Sequence, residues 1–365
     1  MKPIPQFEPV FDNEDVEAVA NVVRSSYINE SKLTREFERQ FAEFVGARYA
    51  VATTSGTVAI FLALKSAGVG VGEVVVAPDY TAIGSINGIR LTGAKPLLAD
   101  VRIQDGNLKV DRTINQSKAI TAMLLVHING RAAPVLKAQE LCRENNWVLI
   151  EDASQCLGSQ CAGHHLGTFG ELGCWSLATT KLITVGQGGM VTTNDEKLHQ
   201  NLQALKDQGR VRDFAQSEQA DYYSREGYNF KFNEIAAALG LSQFKKLSIR
   251  IAHKRAITKE YRVALEEMGT TCAQEHEGEL LWYIDMILAH EGENRKLKSF
   301  LREHGVDSRL FYTPIHRQPS YASYREFPNA DWYSSRGLWL PSSCNLSHDQ
   351  LKFVCDAIKQ WKWSK

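Results

Sequence analysis

The sequence predicts an α/β fold with a mostly parallel sheet that helices cover on both faces. Two observations carry this prediction. Short apolar runs that are typical of strands alternate with helical segments up to Asp152. Many of these runs are apolar throughout, as strands buried on both faces are. The chain has 365 residues, and at roughly 150 residues per domain this length predicts two domains.

Each predicted element rests on its own spacing. Residues 12–26 and 34–45 show helical periodicity, and Phe37, Phe41 and Phe44 share one face of the second helix, which is typical of core packing. Gly46 ends that helix. The following strands are expected at 49–57 (which runs into a glycine turn), 73–77, 95–100, 119–127 and 147–152. The intervening helices are expected at 58–67, 81–92 and 133–145.

The character of the chain changes after about Gly240. A short strand at 282–288 mixes with helices at 295–304 and 347–363. This change predicts a large domain over residues 1–245 and a smaller C-terminal α+β domain over residues 246–365. The most polar stretch, from Arg210 to Arg225, predicts a mobile loop.

Composition excludes several classes of protein. The chain carries 42 basic and 42 acidic residues, which argues against a nucleic-acid binder driven by charge. Its seven cysteines contain no CxxC pair, so neither a disulfide framework nor a zinc site is expected, and no metal is assigned. The N-terminal residues lack the apolar core of a secretory signal, and no apolar run approaches the length that spans a membrane. We therefore expect a cytoplasmic protein without membrane or nucleic-acid partners.

Lys181 is the most informative single residue. It follows small and hydroxyl residues in Ser176-Leu-Ala-Thr-Thr-Lys181, and a glycine cluster follows from Gly186 to Gly189. A sheltered lysine loses basicity and becomes an amine nucleophile, and glycines allow backbone to approach a ligand closely. Taken alone, the segment favours a solvated surface charge, because most lysines are of that kind.

Two further segments change that balance. Ser55-Gly56-Thr57 lies at a strand-to-helix turn, where free N–H groups make an anion site, although a simple N-cap is the alternative. Asp152 ends a buried strand, where ligand sites of parallel sheets cluster, although it could equally cap a turn. A phosphate site, a carboxylate and an amine are together what a pyridoxal-phosphate enzyme needs.

More motifs follow in order along nearly the whole chain. They are Val75-Val-Ala-Pro-Asp-Tyr80-Thr, Gly93-Ala-Lys-Pro with Asp100, His127-Ile-Asn-Gly130, Glu151-Asp-Ala-Ser-Gln155, Gly167-Thr-Phe-Gly-Glu-Leu-Gly173, Gly227-Tyr-Asn229-Phe-Lys-Phe-Asn-Glu234 and Tyr312-Thr-Pro-Ile-His316. With them the chain resembles the DegT/DnrJ/EryC1/StrS family of sugar aminotransferases. The resemblance implies the fold-type I pyridoxal-phosphate architecture, with a mostly parallel seven-stranded sheet flanked by helices and a smaller C-terminal α+β domain.

The resemblance also implies roles around the cofactor, pyridoxal 5′-phosphate. Lys181 would hold the cofactor covalently and move the proton, and Asp152 would pair with the pyridine nitrogen. Gln155 would lie near the ring hydroxyl. Tyr80 would stack on the ring face, with core aromatic packing as its alternative. The phosphate would be bound by Gly56, Thr57 and Ser176.

Three more residues are implied to face a partner or substrate. Asn229 resembles the residue that reaches the phosphate from a neighbouring subunit, which implies a homodimer with shared active sites. Tyr312 and His316 would face the sugar substrate, although His316 could equally be a structural histidine with satisfied hydrogen bonds.

The implied reaction moves an amino group from an amino acid, L-glutamate by analogy, to a keto sugar. The acceptor most common in the family is a nucleotide-linked keto-deoxysugar, used for surface polysaccharides and related glycans. A keto sugar without a nucleotide, such as an oxidised octulosonate or a keto-cyclitol, is an alternative. The family's dehydratase branch carries histidine in place of Lys181, so a sugar dehydratase is less favoured.

Two other features bear on function. A non-catalytic cofactor-binding regulator would need a partner or DNA-binding domain, for which the chain has no basic segment. Two positions depart from the family pattern, because Gln187 stands where glutamate is frequent and Gln208 where histidine is common. Both departures concern the substrate rather than the cofactor.

Overall fold

A computed structural model describes residues 3–363 except 112–113, 115–118, 211–222, 224, 268–275 and 323–324. Its strands are β1 (Tyr49–Thr53), β2 (Val74–Pro78), β3 (Lys95–Ala99), β4 (Ile120–Val126), β5 (Val148–Asp152), β6 (Gln160–Cys161), β7 (His164–His165), β8 (Leu172–Ser176), β9 (Gly189–Thr193), β10 (Asp285–Ile287), β11 (Arg309–Leu310) and β12 (Gly337–Trp339). Its α-helices are α1 (Asn13–Ser25), α2 (Lys32–Val45), α3 (Gly56–Ser66), α4 (Ile83–Leu91), α5 (Val135–Asn145), α6 (Glu196–Lys206), α7 (Glu234–Lys245), α8 (Leu247–Glu267), α9 (Glu293–Glu303), α10 (Pro328–Arg336) and α11 (His348–Trp363).

The main sheet has seven strands in the order β1-β9-β8-β5-β4-β2-β3. Only β9 runs antiparallel to its neighbours; the other pairings are parallel. The predicted fold class, a mostly parallel seven-stranded sheet flanked by helices, is confirmed. Strands β6 to β9 and helices α6 to α8 are additions to the sequence prediction, which had placed no element between Asp152 and Trp282.

Alternating side chains of the strands cover both faces of the sheet. Val75 of β2 packs towards α3 and α4, whereas the next residue, Val76, packs towards α5. In β4, Leu124 and Leu125 divide between the same two layers. Because both faces are buried, the strands are apolar at successive positions, and this is the pattern that predicted a parallel sheet.

The helix α2 packs on the β1 end of the sheet. Phe37 and Phe41 are fully buried, as predicted, and Phe44 is partly buried against the same cluster. The first turn of α2 is held by Glu234, the first residue of α7. Its carboxylate accepts hydrogen bonds of 2.8–2.9 Å from the Thr34 hydroxyl and from the backbone N–H groups of Ser31, Leu33 and Thr34.

The C-terminal part of the chain forms a second, three-stranded antiparallel sheet in the order β10-β12-β11. It shares a core with α8, α9 and α11, to which Ile257, Leu297 and Val354 contribute. Ile4 packs in this core as well and forms an isolated bridge with Val306. The N-terminal segment thus contacts the C-terminal unit, and the division at residues 245 and 246 stays a prediction.

Two other predictions can be compared with the described residues alone. Of the loop predicted between Arg210 and Arg225, the structure describes Arg210, Tyr223 and Arg225 and no more. Within the described ranges, no helix combines the length and the apolar character that a transmembrane segment requires.

Candidate active site

The carboxyl ends of the parallel strands bring the predicted cofactor residues to one edge of the main sheet. β1 leads through Ser55 into α3, β5 ends at Asp152, and β8 ends at Ser176. Ligand sites of open parallel sheets lie at this edge. A Cβ atom on Gly56 would lie 2.9 Å from the Ser176 Cβ and 3.3 Å from the Ser154 Oγ. Only glycine therefore lets the three segments approach this closely.

The N-terminus of α3 provides an anion site. The Ser55 Oγ accepts a hydrogen bond of 3.2 Å from the Val58 N–H and so acts as an N-cap, which was the alternative interpretation. The N–H groups of Gly56 and Thr57 make no hydrogen bond to any other described residue. They add to the positive end of the helix, so the cap and the anion site coexist.

Asp152 is buried and held by two donors. Its Oδ2 accepts a hydrogen bond of 2.6 Å from the Ser85 hydroxyl, and its Oδ1 accepts one of 3.1 Å from the Ser154 N–H. The Ser85 hydroxyl lies 3.0 Å from the hydroxyl of Thr81. The carboxylate is thereby fixed in orientation, as pairing with a protonated ring nitrogen requires. Sequence reasoning missed Ser85 and Ser154, although Ser154 lies inside the motif that identified Asp152.

The neighbouring Glu151 points to the other side of β5 and stabilises the segment before β8. It accepts four hydrogen bonds of 2.6–2.8 Å, from the Nε2 of His127 and from the N–H groups of Gly167, Phe169 and Gly170. The Nδ1 of His127 accepts a hydrogen bond from the Ala133 N–H. The hydrogen of the ring is therefore on Nε2, which donates a hydrogen bond to Glu151. The pair has a structural role behind the site.

Lys181 is half-buried beside the same edge. Its Nζ lies 3.5 Å from the centroid of the Trp282 ring, and the indole N–H of Trp282 donates a hydrogen bond of 2.7 Å to the Thr180 carbonyl. Burial lowers the pKa of Lys181 to about 7; the negative charge of Asp152 opposes this shift and the positive charge of Arg309 adds to it. A substantial fraction of the amine is therefore neutral near pH 7 and able to act as a nucleophile.

Gln155 contacts a tight turn on the large-domain side. Its Oε1 accepts a hydrogen bond of 2.7 Å from the backbone N–H of Asn129, so its amide nitrogen is the group available to a ligand. Asn129 has a left-handed backbone with φ of 55°. Its side-chain oxygen accepts from the Tyr283 N–H at 2.8 Å. The predicted position of Gln155 beside the cofactor ring is thus coupled to the segment that precedes β10.

Tyr80 is completely buried in an aromatic cluster. Its ring centroid lies 5.1 Å from that of Tyr333 and 5.9 Å from that of Tyr312. Burial raises the pKa of Tyr80. These contacts are the core packing that was the alternative interpretation, and stacking on the cofactor stays a prediction.

The two residues predicted to face the substrate differ in their surroundings. Tyr312 is half-buried, and its pKa is raised by burial, against the charge of Arg309. His316 is buried, with its Nδ1 2.6 Å from Asp79 and its Nε2 3.4 Å from Asp331. Both ring nitrogens of His316 thus face carboxylates, as the structural alternative expects, and a substrate contact would require these pairs to open.

Asn229 lies on the surface. Its residue forms an isolated bridge with Asp207, and its side chain makes no hydrogen bond to the described residues. An exposed amide of this kind is compatible with the predicted contact to a neighbouring subunit, which stays a prediction.

The residues present fit pyridoxal phosphate. The close approach of Gly56 to Ser176 forms a cradle that a side chain would fill, and the free N–H groups at the start of α3 suit a phosphate. The oriented carboxylate of Asp152 suits a protonated ring nitrogen, and Lys181 supplies an amine of lowered pKa. Gly56 comes from a segment about a hundred residues before the others, whereas Asp152, Ser176 and Lys181 lie within thirty residues of one another.

Known proteins share these features. The sequence profile of the DegT/DnrJ/EryC1/StrS aminotransferase family matches residues 9–359. GDP-perosamine synthase of Vibrio cholerae is 32% identical over 369 residues, which cover 98% of this chain and 99% of that protein. The dTDP-4-dehydro-2,3,6-trideoxy-D-glucose 4-aminotransferase of Saccharopolyspora spinosa is 30% identical over 371 residues, 97% of this chain and 95% of that protein.

A solved structure agrees over the same extent. The aminotransferase TlmJ from Streptoalloteichus hindustanus superposes with a TM-score of 0.92 at 25% identity, covering 99% of both chains. The match therefore includes the main sheet, the C-terminal sheet and the edge at which Lys181 and Asp152 meet. The chain is an enzyme that belongs to the DegT/DnrJ/EryC1/StrS aminotransferase family.

Proposed function

We propose that this enzyme uses pyridoxal phosphate to transfer an amino group from L-glutamate to a nucleotide-linked keto-deoxysugar. The observation that carries the proposal is Lys181, a partly neutral amine at the sheet edge that also holds Asp152 and the anion site of α3. A lysine at this position distinguishes transamination from the dehydration that a histidine would favour in this family.

The chain's own residues perform the steps that surround the cofactor. Bound pyridoxal phosphate supplies an electron sink for the carbon that loses its proton. The Nζ of Lys181 removes that proton and returns it, as general base and then general acid. Asp152, held by Ser85 and the Ser154 N–H, would pair with the protonated ring nitrogen. The first turn of α3 and Ser176 would hold the phosphate.

The proposed acceptor follows from the relatives. The names of the two relatives described above refer to a GDP-linked and a dTDP-linked sugar. Both point to a nucleotide-linked keto-deoxysugar rather than to an octulosonate or a cyclitol. They differ in the base, so the proposal covers the class of sugar nucleotide and leaves the base open.

We further propose a homodimer whose two active sites are shared. The support is Asn229, which is exposed and has no hydrogen-bond partner among the described side chains, together with its position in the family motif. In this arrangement Asn229 of one subunit would bind the cofactor phosphate that Gly56, Thr57 and Ser176 of the other subunit hold.

The visible absorption spectrum of the purified protein tests the reaction. We expect absorption from bound pyridoxal phosphate that shifts to shorter wavelength when L-glutamate is added and returns when a suitable keto sugar nucleotide follows. Lys181→Ala should abolish turnover, because the variant lacks the amine that removes and returns the proton.

Two results would contradict the proposal. A colourless protein that does not take up added pyridoxal phosphate would exclude the cofactor. A Lys181→Ala variant with turnover near that of the unmodified enzyme would remove the lysine from the reaction. As a matched control, Lys65→Ala changes a lysine in the last turn of α3, far along that helix from its N-terminus, and should leave the absorption change intact.

A further inference from the structure

Arg309 lies on an aromatic platform, the mouth of the site, that continues to Lys181: the Trp339 and Trp282 ring centroids are 6.4 Å apart, and the Lys181 Nζ lies 3.5 Å from the Trp282 centroid. It belongs to β11 and pairs with Trp339 of β12. Its guanidinium carbon lies 5.7 Å from the centroid of the Trp339 ring and 5.6 Å from that of the Tyr312 ring. Trp339 is buried against Tyr283 and Phe311 and cannot shift easily. The platform therefore limits the orientations that the planar guanidinium adopts.

The charge of Arg309 has no acidic partner among the described residues. By comparison, Arg39 pairs with Glu36 and Glu43, and Arg317 pairs with Asp331. Among the described residues, no carboxylate lies within ion-pair distance of Arg309. Its side chain is exposed and lies beside the Tyr283 hydroxyl, and its remaining hydrogen-bond donors stay open to a ligand from solvent.

Arg309 also faces the reacting group. Its positive charge acts on Lys181, where it adds to the effect of burial, and on Tyr312, where it opposes that effect. The exposed guanidinium thus acts on the amine of Lys181 from the side of Trp339 and Tyr312.

We propose that Arg309 binds an oxyanion of a substrate at this mouth. The proposal rests on the proposed function, since that function brings two such anions to the site: the carboxylates of the amino donor and the diphosphate of the sugar nucleotide. A guanidinium presents parallel N–H donors that match either group in a bidentate arrangement. Held on Trp339 and Tyr312, it binds with little further loss of side-chain freedom.

Two variants of the holoenzyme test this role. Arg309→Gln removes the charge, and Arg309→Lys keeps the charge but loses the paired donors. Arg48→Gln is the matched control, because Arg48 is also exposed, lies 4.9 Å from the Tyr49 ring centroid, and stands at the opposite end of β1 from the site. All three variants should take up pyridoxal phosphate and show its bound absorption, which shows that the site is folded.

The first readout is the absorption change with L-glutamate, followed as rate against concentration. If Arg309 binds the donor, the half-saturating concentration in Arg309→Gln rises by about tenfold or more, as expected for losing a charge-assisted hydrogen bond. The maximal rate changes much less. Arg309→Lys should fall between the two, and Arg48→Gln should not differ from the unmodified enzyme.

The second readout is quenching of tryptophan fluorescence by glutarate, GDP or dTDP, since Trp339 and Trp282 lie at the mouth. Weaker binding of GDP or dTDP to Arg309→Gln, with unchanged glutarate binding, assigns Arg309 to the sugar nucleotide. The reverse assigns it to the donor. Unchanged affinity for all three, with an unchanged half-saturating concentration of L-glutamate, overturns the proposal.

These outcomes are separable from failure of the proposed function. If the unmodified enzyme binds pyridoxal phosphate but does not respond to L-glutamate, the donor assignment fails. The fluorescence titrations with glutarate, GDP and dTDP still report whether Arg309 holds an anion.

Discussion

Lys181 and Asp152 show what residue-level reasoning could predict. The sequence supplied their chemistry, and the end of a buried strand at Asp152 supplied a location. Ser85 and Arg309 could not be found in this way. Ser85, in the first turn of α4, meets Asp152 at the end of β5 only in the folded chain, and Arg309 acts on Lys181 only because the C-terminal sheet lies near it. Such contacts depend on the packing of elements far apart in the chain.

The lowered pKa of Lys181 leads to a prediction at this scale. Covalent attachment of pyridoxal phosphate requires the neutral amine, whose fraction increases as pH rises through the pKa. Because that pKa is lowered to about 7, the attachment rate of the apoprotein should rise with a midpoint near pH 7. Stopped-flow absorption between pH 5.5 and 9 measures it.

The control for this measurement is Nα-acetyl-lysine, whose free side-chain amine has a pKa of about 10.4. The cofactor's own titrations affect both reactions alike, so only the difference between protein and control reports on Lys181. A protein profile parallel to that of Nα-acetyl-lysine would mean that burial does not lower the pKa of Lys181.

At the scale of elements, the helices and strands before Asp152 were predictable, because each has a clear period and a glycine or polar boundary. The segment from β8 to α8 was not predicted. Strand β9 is flanked by the glycines of the Lys181 motif, which suggested a binding loop. Helix α7 is apolar on most sides, with seven buried residues among its twelve, so it lacks the amphipathic pattern by which surface helices are identified.

Glu234 joins two of these elements and gives a second prediction. Its carboxylate is buried and accepts several hydrogen bonds at the start of α2. Glu234→Ala should lower the free energy of unfolding by about 2–3 kcal/mol at pH 7, since those N–H groups lose their charged acceptor. Urea unfolding at fixed protein concentration and saturating cofactor measures it, and Glu43→Ala, an exposed change in α2, should have much less effect.

The effect of Glu234 should depend on pH. Burial raises the pKa of Glu234, but the hydrogen bonds from the start of α2 lower it by more, so the net shift is downward. A carboxylate of lowered pKa stabilises the folded state above its unfolded pKa of about 4.3. That contribution is lost as pH falls through the folded value. The difference between Glu234→Ala and the unmodified protein should therefore be full at neutral pH and shrink in acid; a constant difference would contradict this account.

At the scale of the whole molecule, shared active sites predict complementation between two inactive variants. Lys181→Ala lacks the amine, and Asn229→Asp places a negative charge beside the phosphate. In a mixed dimer, one site combines both defects and the other has neither. Co-expressed in equal amounts, the two should recover about a quarter of the unmodified activity, as random pairing of subunits in a symmetric dimer requires.

The same mixing experiment can contradict a homodimer with shared active sites. Activity no greater than the sum of the two separate variants would mean that Asn229 serves the site of its own subunit, or none. Mixing Lys181→Ala with Lys181→Met is the matched control, because both lesions lie in the same subunit's contribution, and it should recover nothing.

The turn at Asn129 and Gly130 has a consequence for how this enzyme tolerates change. A Cβ on Gly130 would lie 2.0 Å from the Leu280 carbonyl oxygen, and Arg131 forms a buried ion pair of 2.7 Å with Asp285. This turn therefore positions the C-terminal sheet, with Arg309 and Tyr312, relative to the strand ends. A substitution in the turn would displace those two residues and leave the cofactor residues of the main sheet in place. Substrate preference can therefore change in the evolution of this sequence while cofactor binding is kept.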